Sequence, residues 1–395
     1  MKRINNLYNE ILDIKKIIDI YNNGVKKNTK NKYKLERFEN NYISNMYYIL
    51  NVLKNMEYIP FKYNIFLITQ PKTRLIMSQN IIDKIINQLV AKYFLVDVYD
   101  KTLIDNNIAT RNNKGTHLGL RLFKKYLNSV RNEKFYVLKF DINKYFFNLD
   151  HEILKKIIRK KIKDKNVLNI LDCIIDSTDN EYINKNIVEI KSKEIERIEK
   201  LKISHKEKLL KINNIKKIPI YEKGKGLPIG NMTSQILAIM YLDELDKYIK
   251  ENLNIKYYIR YMDDGIIIHN DKEYLKYCLS EINKIITKYK LNLNNKTKIY
   301  KCNDEIDFLG FRFVLKNNKI IMKVRNDTKR RFKRKIKMYK DKEKYIEIKN
   351  SYLNHFSYGD CNNLIEKYIS YNCLNVFKVN IINNEIVKTL EKIIF

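Results

Sequence analysis

The stretch YYIRYMDDGIIIH, residues 257–269, decides the fold of this chain. Its two apolar arms, Tyr257–Met262 and Gly265–His269, flank the pair Asp263-Asp264, and this pattern predicts a β-hairpin with two acids at its tip. An Asp-Asp pair is also ordinary turn chemistry, so the pair alone does not identify a catalytic site. Acids elsewhere in the sequence must decide between the two interpretations.

A third acid, Asp141, has the same setting, because it ends the short apolar strand Val137–Asp141. If this strand and the hairpin are neighbours, three carboxylates converge on one edge of a sheet and repel one another unless divalent cations bind between them. Two Mg²⁺ ions roughly 3.5–4 Å apart activate an attacking hydroxyl and stabilise a leaving pyrophosphate. The three acids therefore point to a nucleotidyl transferase.

The charge balance favours a polyanionic partner such as nucleic acid, since 78 Lys and Arg stand against 45 Asp and Glu, a formal net charge of +33. Only 14 of the 78 cations are Arg, and the abundance of Lys, Asn, Ile and Tyr is typical of A/T-rich codons, so part of the excess reflects codon composition. The cationic run Lys329–Lys337 is either a solvated helix face or a surface that follows a phosphate backbone, and the sequence leaves both open.

Cysteine usage and apolar patterning exclude several classes of protein. No CxxC pair is present that could hold zinc or a redox disulfide, and the five histidines lack metal-ligand spacing. No stretch reaches the ~18 uninterrupted apolar residues of a membrane span, and the N-terminus shows no signal-peptide core. We therefore expect a cytoplasmic protein without a membrane partner. The cysteines are Cys173, Cys278, Cys302, Cys361 and Cys373.

Periodicity outlines the rest of the fold. Residues 1–56 are predicted to be helical, and Phe61–Ile76 to form two short strands around the turn at Gln70-Pro71-Lys72. The stretch 181–217 is rich in Lys, Glu and Ile, which predicts one or two solvated helices added to the surface of the main fold. Further predictions are an amphipathic helix over 79–99, helical sequence from Asp150 to about Ile175, a strand pair Phe308–Leu315 and Lys319–Val324 around Asn317-Asn318, and helices from Thr328 onward.

Four motifs in order resemble those of reverse transcriptases of the bacterial retroelement type. Tyr261-Met262-Asp263-Asp264 resembles their YxDD box, and residues 140–151, FDINKYFFNLDH, resemble their first catalytic motif. Residues 226–235, GLPIGNMTSQ, occupy the place of their loop-and-helix motif, and Phe308-Leu309-Gly310-Phe311 resembles their primer grip. The resemblance implies an α+β right-hand polymerase: fingers, a palm whose antiparallel sheet carries the catalytic aspartates, and a helical thumb.

The resemblance also implies a two-metal active site. Asp141, Asp263 and Asp264 would be the catalytic residues and would hold two Mg²⁺ ions, for which Mn²⁺ can substitute, with the carbonyl of Ile142 as a further ligand. The primer grip would be Phe308, Leu309 and Gly310. Gly310 would either let the primer strand approach the sheet or form a β-bulge.

A second implied set of residues binds the incoming nucleotide. Lys72 and Arg74 match basic fingers residues that neutralise the triphosphate. Phe146, five residues after Asp141, lies at the sugar-gate position, where a bulky ring excludes a ribose 2′-hydroxyl; without that spacing it would be interpreted as core packing. Lys296 would act as an acid for the leaving pyrophosphate, a role for which Lys298 and Lys301 are equally available. The other implied nucleotide-binding residues are Ile229, Gly230 and Gln235.

Departures from the common family pattern narrow the subtype. Ile229 stands where the family usually has Gln, and this form of the motif most resembles reverse transcriptases of diversity-generating retroelements, in which the position is linked to error-prone copying of template adenines. Residues 113–117 and 351–356 resemble two further segments of that group, although Asn354 replaces a usual Gly. Antiphage-defence reverse transcriptases share parts of these motifs and stay an alternative. Intron maturases are disfavoured, because only about 70 residues follow the predicted fingers and palm.

The favoured function is an RNA-directed DNA polymerase in the bacterial cytoplasm, with an RNA template, a DNA or RNA primer and dNTPs as its partners. A structured non-coding RNA and an accessory protein are further partners that the resemblance allows. A non-catalytic RNA-binding scaffold and an RNA-dependent RNA polymerase are the competing functions, and the scaffold is disfavoured because three acids without metal form a costly charge cluster. The predicted domains are an N-terminal helical extension, 1–56, fingers and palm, 57–325, and a basic thumb, 326–395.

Overall fold

The computed structural model describes residues 3–338 and 342–368 of the 395-residue chain. The chain divides into two compact units, each built from two segments of sequence. The first contains Met1–Gly115 and Leu138–Lys298, and the second Thr116–Val137 and Ile299–Phe395. Predictions that concern Cys373 and the end of the thumb lie outside the described residues, and the domain boundaries at 56/57 and 325/326 stay predictions.

Helices dominate the described chain, and polar caps explain where several of them begin. Asp150, for example, accepts a hydrogen bond from the backbone N–H of Ile153 at 3.0 Å. The helices are α1 Ile14–Asp19, α2 Lys32–Glu39, α3 Tyr42–Lys54, α4 Ile81–Leu89, α5 Asp97–Tyr99, α6 Thr116–Val130, α7 Tyr145–Asn148, α8 His151–Arg159, α9 Lys165–Ile175, α10 Glu181–Glu199, α11 His205–Lys216, α12 Met232–Tyr241, α13 Asp243–Lys247, α14 Lys272–Lys288, α15 Asn326–Met338, α16 Lys342–Phe356 and α17 Asn362–Tyr368. Short 3₁₀ turns are Tyr8–Ile11, Asp100–Thr102 and Asp176–Asp179, and π-helical turns are Ile20–Lys26, Val90–Val96 and Tyr248–Asn252.

Nine strands in the described residues form three sheets, and the pairs β1-β2, β4-β5, β7-β8 and β8-β9 are antiparallel. The predicted α+β class with antiparallel sheets is confirmed. The strand orders are β1-β2, β4-β5-β3-β6 and β7-β8-β9. The strands are β1 Asn64–Ile68, β2 Arg74–Ser78, β3 Tyr136–Asp141, β4 Tyr257–Tyr261, β5 Asp264–His269, β6 Lys298–Lys301, β7 Ile306–Phe308, β8 Phe311–Lys316 and β9 Lys319–Val324.

Helix α10 belongs partly to the core of the first unit. Ile183 and Ile187, one helical turn apart, are completely buried in a cluster with Ile65 of β1 and with Leu75 and Met77 of β2. The prediction that residues 181–217 form a surface addition is therefore wrong for the first half of α10. In α11 the exposed Leu209 and Leu210 match the prediction, whereas Ile198 near the end of α10 and Ile215 of α11 are buried as well.

Helical sequence over 150–175 is confirmed, with a break between α8 and α9 that was not predicted. Asp164 accepts from the N–H groups of Asn166 and Val167 and starts a new helix at Lys165. The predicted helix over 79–99 exists but widens into a π-helical turn after Leu89.

The second unit packs a sheet against helices through aromatic rings. Phe123 of α6 meets the rings of Phe308 and Phe313 edge to face, with centroids 5.3 and 4.7 Å apart. Phe332 of α15 makes the same kind of contact with Phe356 of α16, at 5.1 Å. The predicted strand pair around Asn317-Asn318 is confirmed, except that β8 begins at Phe311 and residues 306–308 form a separate strand.

Asp83 on α4 makes the stability of the first unit dependent on pH. Its buried carboxylate accepts hydrogen bonds from the Tyr58 hydroxyl at 2.9 Å and the Phe61 N–H at 3.0 Å, and burial raises its pKa from 3.8 to about 6. The folded chain therefore binds the proton of Asp83 more tightly than the unfolded chain does. The stability that the protonated form contributes is lost as the pH rises from 3.8 to about 6.

We expect the unfolding free energy of the wild type to fall by about 2 kcal/mol relative to Asp83→Asn between pH 4 and pH 7. Urea unfolding of both proteins across this range measures the difference, and comparing the two cancels the contributions of other carboxylates. A difference that does not change with pH would contradict the assignment.

Candidate active site

The predicted hairpin forms at residues 257–269, with Tyr261 paired to Asp264 across β4 and β5. Met262 and Asp263 make the turn, and Met262 has a left-handed backbone with φ of +56°. Gly265 is required beside this turn, because a Cβ atom there would lie 2.1 Å from the ring of Phe140. Phe140 immediately precedes Asp141, so the close approach of β5 to β3 brings the hairpin acids to Asp141.

The three carboxylates interact strongly. A hydrogen bond joins Asp141 and Asp263, and burial together with the charges of Asp141 and Asp264 raises the pKa of Asp263. Burial and the charge of Asp264 also raise the pKa of Asp141, against the opposing effect of Lys139 and Lys296. Such a cluster of oxygen donors with excess negative charge fits divalent cations, which would replace the shared proton.

The segment that carries Lys296 is hydrogen-bonded to the backbone on either side of Ile142. The Asp141 carbonyl accepts from the N–H of Asn294 at 2.7 Å, and the N–H of Asn143 donates to the carbonyl of Asn292 at 2.9 Å. The exposed Lys296 follows two residues later and acts electrostatically on Asp141. The structure thus brings Lys296 to the acids, while its role stays a prediction.

The glycine loop, residues 224–230, is hydrogen-bonded to the motif that follows Asp141, although about 80 residues separate them. The N–H of Gly226 donates to the carbonyl of Leu149, and the N–H of Leu227 to the carbonyl of Phe146, both at 2.7 Å. Gly226 has φ of +91°, and a Cβ atom would lie 2.5 Å from the ring of Tyr221. Phe146, predicted as the sugar gate, is therefore held next to this loop and stays partly exposed.

The end of the same loop contacts strand β2. The N–H of Met77 donates to the carbonyl of Ile229 at 2.9 Å, and a Cβ atom on Gly230 would lie 2.8 Å from the carbonyl oxygen of Met77. Arg74 begins this strand and Lys72 lies in the preceding turn, and both side chains are exposed. Across residues 3–338 and 342–368, neither cation has an ion-pair partner, so both charges are available to an anionic ligand.

A substitution at Gly230 tests whether the approach of this loop to β2 matters. We expect Gly230→Ala to raise the KM for dNTPs and to cost about 1–3 kcal/mol of stability, because it combines strain at φ of +137° with a backbone clash. Gly224→Ala is the matched control, since φ there is +73° but no atom lies within 4 Å of the added Cβ. Equal effects of the two substitutions on KM, measured by steady-state extension, would show that the contact with Met77 is unimportant.

Helix α12 begins directly after the loop, and side-chain hydrogen bonds fix its first turn. Asn231 donates to the Tyr63 hydroxyl at 3.1 Å, and Thr233 donates to Asn87 at 2.6 Å. Among the described residues, no partner is found for the buried Asn231 Oδ1 and Ser234 Oγ atoms. The half-buried Gln235 follows in the same helical turn. Gly230 and Gln235, which are predicted to bind the nucleotide, therefore both lie at the start of α12, where free backbone N–H groups favour anions.

The predicted primer grip lies in the second unit, at the turn between β7 and β8. Phe308 is completely buried, whereas Leu309 and Gly310 are partly exposed and have φ of +46° and +89°. The pairing of Phe308 with Phe311 makes these two residues a tight hairpin turn, so the β-bulge interpretation of Gly310 is wrong. A role in primer binding stays a prediction.

Two charged clusters beside the site were not predicted. One is the pair Arg260 and Asp246, buried behind the hairpin. The other is His151, whose Nδ1 lies 3.1 Å from Asp176 Oδ1 and 3.8 Å from Asp179 Oδ2, an arrangement able to hold a metal ion. The Nε2 atom of His151 lies 2.8 Å from the Gly226 carbonyl. Neither cluster has a local sequence signal, because the partners are separated by 14 to 75 residues.

Comparison with known proteins identifies the family of the chain. Residues 62–313 match the family model described as reverse transcriptase (RNA-dependent DNA polymerase). No curated protein matches the chain. Solved structures with similarity include telomerase from Candida albicans in complex with a fragment of telomeric RNA, at 14% identity and a TM-score of 0.43, covering 86% of this chain and 60% of that one. Another is apo telomerase from Candida tropicalis truncated from the C-terminal domain, at 13% identity and a TM-score of 0.43, covering 69% and 58%.

The chain thus spans less than two thirds of either telomerase chain. No helix among residues 3–338 and 342–368 is long and apolar enough to cross a membrane. The family match covers more than half of the 395 residues and includes all three converging acids. The chain therefore belongs to the reverse transcriptase family.

Proposed function

We propose that this chain is an RNA-directed DNA polymerase, a nucleotidyltransferase, in which Asp141, Asp263 and Asp264 are the catalytic metal ligands and hold two Mg²⁺ ions, with the carbonyl of Ile142 as a further ligand. The observation that supports this most is the hydrogen bond between Asp141 and Asp263 together with the raised pKa of both acids. Bound divalent ions would supply activation of the primer 3′-hydroxyl and stabilisation of the pyrophosphate. The primer oxygen forms a bond to the α-phosphorus of a dNTP, and the bond from that phosphorus to pyrophosphate breaks.

The cations around the acids suggest how the nucleotide is held. Arg74 and Lys72 neutralise the triphosphate, and Lys296 protonates the leaving pyrophosphate. The exposure of all three side chains supports these roles, as does the effect of Lys296 on the pKa of Asp141. The start of α12, with Gly230 and Gln235, lies beside the sugar and phosphates, and Phe308, Leu309 and Gly310 position the primer.

Primer extension tests the proposed function. Purified protein with a primed RNA template, dNTPs and Mg²⁺ should lengthen the primer, and EDTA should stop the reaction, with excess Mg²⁺ or Mn²⁺ restoring it. RNA binding of equal strength with and without Mg²⁺, combined with no extension on primed RNA, would instead support a non-catalytic scaffold.

We further propose that the biological role is that of a diversity-generating retroelement, for which Ile229 is the supporting residue. Its carbonyl accepts a hydrogen bond from the N–H of Met77 and its side chain is half-buried next to Gly230, so a change at this position acts on the end of the glycine loop. Misincorporation should be most frequent opposite template adenines, and Ile229→Gln should reduce it. Error rates that are equal for all four template bases would favour the antiphage-defence alternative.

A further inference from the structure

Arg260 is the largest side chain that is completely buried in the described structure. It lies in β4, one residue before the Tyr261-Met262-Asp263-Asp264 motif. Burying an ion pair costs several kcal/mol per charge, and apolar side chains of similar size often stabilise a fold as well or better. A guanidinium at this place is therefore a poor choice for stability alone, and the geometry of its hydrogen bonds suggests what else it does.

Part of the guanidinium neutralises one carboxylate. The Nε and Nη2 atoms of Arg260 donate to the two oxygens of Asp246, each at 2.6 Å. Asp246 also accepts from the Tyr258 hydroxyl at 2.7 Å and from Asn107 Nδ2 at 3.3 Å. The Arg260–Asp246 pair is thus a fully hydrogen-bonded unit whose net charge is zero, and it supports the hairpin from below.

The remaining donors of Arg260 reach the catalytic motif itself. Nη1 donates to the carbonyl of Met262 at 2.8 Å, and Nη2 donates to the carbonyl of Ile239 in α12, also at 2.8 Å. Met262 is the residue in the left-handed conformation immediately before Asp263. The guanidinium thereby ties the turn that carries two acids to the helix that begins at the glycine loop.

The backbone of Arg260 is fixed as well. Its N–H donates to the carbonyl of Asn106 at 3.0 Å, and its carbonyl accepts from the N–H of Ile108 at 3.1 Å. The side chain of Met262 packs against a buried cluster that includes Leu103 and Ile239. The turn needs such restraint, because a left-handed non-glycine residue is strained and the adjacent carboxylates repel one another.

We infer that Arg260 is a positioning residue that fixes the Met262 carbonyl and thereby holds Asp263 and Asp264 in the geometry that binds divalent cations. The inference rests on the proposed role of these acids. A lysine at position 260 keeps one positive charge, but a single ammonium cannot reproduce the fork that spans Asp246 and the Met262 carbonyl. Arg260→Lys is therefore the informative substitution.

The expected result is a specific defect in metal binding. Arg260→Lys should lower kcat about 10–100-fold and raise the Mg²⁺ concentration for half-maximal activity several-fold, with the KM for dNTPs changed less than about threefold. Mn²⁺ should restore part of the rate, because it also binds carboxylates but tolerates less regular coordination than Mg²⁺, which requires a nearly ideal octahedron. Mn²⁺ binding measured without substrate, by loss of the free-ion EPR signal, should weaken in the same variant.

Tyr258→Phe is the matched control, because it removes one hydrogen bond to Asp246 but leaves every contact of Arg260 with Met262 in place. This variant should melt at a lower temperature than the wild type yet keep wild-type metal dependence. If Arg260→Lys does not fold, the double variant Arg260→Met/Asp246→Leu replaces the ion pair by apolar side chains and is measured in the same way.

Wild-type Mn²⁺ affinity and metal dependence in a folded variant without the guanidinium would overturn the inference. This failure differs from failure of the proposed function, in which the wild-type protein itself would show no metal-dependent extension. A shift of the same size in Tyr258→Phe would also overturn it, because general loosening of the core would then explain the defect.

Discussion

Asp263→Ala is expected to abolish extension of a primed RNA template, with a rate at least about 10³-fold below that of the wild type. The reason is that Asp263 shares a hydrogen bond with Asp141 and is the residue on which the charges of the cluster act most strongly. Single-turnover extension at saturating dNTP and Mg²⁺ measures the chemical step directly. Asp105→Asn is the control, because this acid is almost fully exposed and forms an ion pair with Lys114, away from the three carboxylates.

Replacing Asp263 by its neutral isostere, asparagine, should raise the stability of the folded protein. Because the pKa of Asp263 is raised in the folded chain, its ionised form opposes folding at neutral pH when no cation is bound. Asp263→Asn should therefore melt above the wild type in EDTA, and adding Mg²⁺ should stabilise the wild type more than the variant. Extension by Asp263→Ala at the wild-type rate would refute the assignment of the acids.

The second large effect is expected for Phe146→Ala, which should reduce the preference for dNTPs over rNTPs by about 100-fold or more, since the loss of a steric exclusion is worth several kcal/mol. The ring is partly exposed and its own carbonyl is bonded to the glycine loop, so shortening the side chain opens space without moving the backbone. Competition between dCTP and rCTP on the same primed template gives the ratio.

Phe147→Ala provides the matched control for the sugar gate. Phe147 stacks on Tyr221 at 4.7 Å and packs against the cluster that includes Ile183 and Met77, so its loss should lower the melting temperature. It should leave the dNTP preference unchanged. A wild-type enzyme that already prefers rNTPs would contradict the gate and support an RNA polymerase.

Local patterns predicted the parts of the fold that depend on neighbours in sequence. The hairpin of 257–269 follows from its two apolar arms around an acidic turn, and Asn317-Asn318 forms the expected turn because asparagine tolerates positive φ. The acid at the end of β3 was identified for the same reason. Each of these signals lies within a stretch of at most 13 residues.

Contacts between distant segments could not be predicted in the same way. The hydrogen bond from Gly226 to Leu149 and the pairing of Arg260 with Asp246 depend on backbone positions that only the assembled core defines. The alternation of Lys, Glu and Ile in α10 resembles a solvated helix, and only the packing against β2 reveals that Ile183 and Ile187 are core residues. Whether the apolar face of an amphipathic helix is buried depends on whether another apolar surface of the protein packs against it.

The anchored first half of α10 gives the chain a natural attachment point for labels. From Ile187 to the end of the helix at Glu199 the axis advances about 18 Å, and the turn that follows, Leu201–Ser204, is largely exposed. A fluorophore or affinity tag placed in this turn would be held at a fixed distance from β2 without replacing a buried residue. Single-molecule measurements could then report the distance between bound RNA and a label at a known position on the helix.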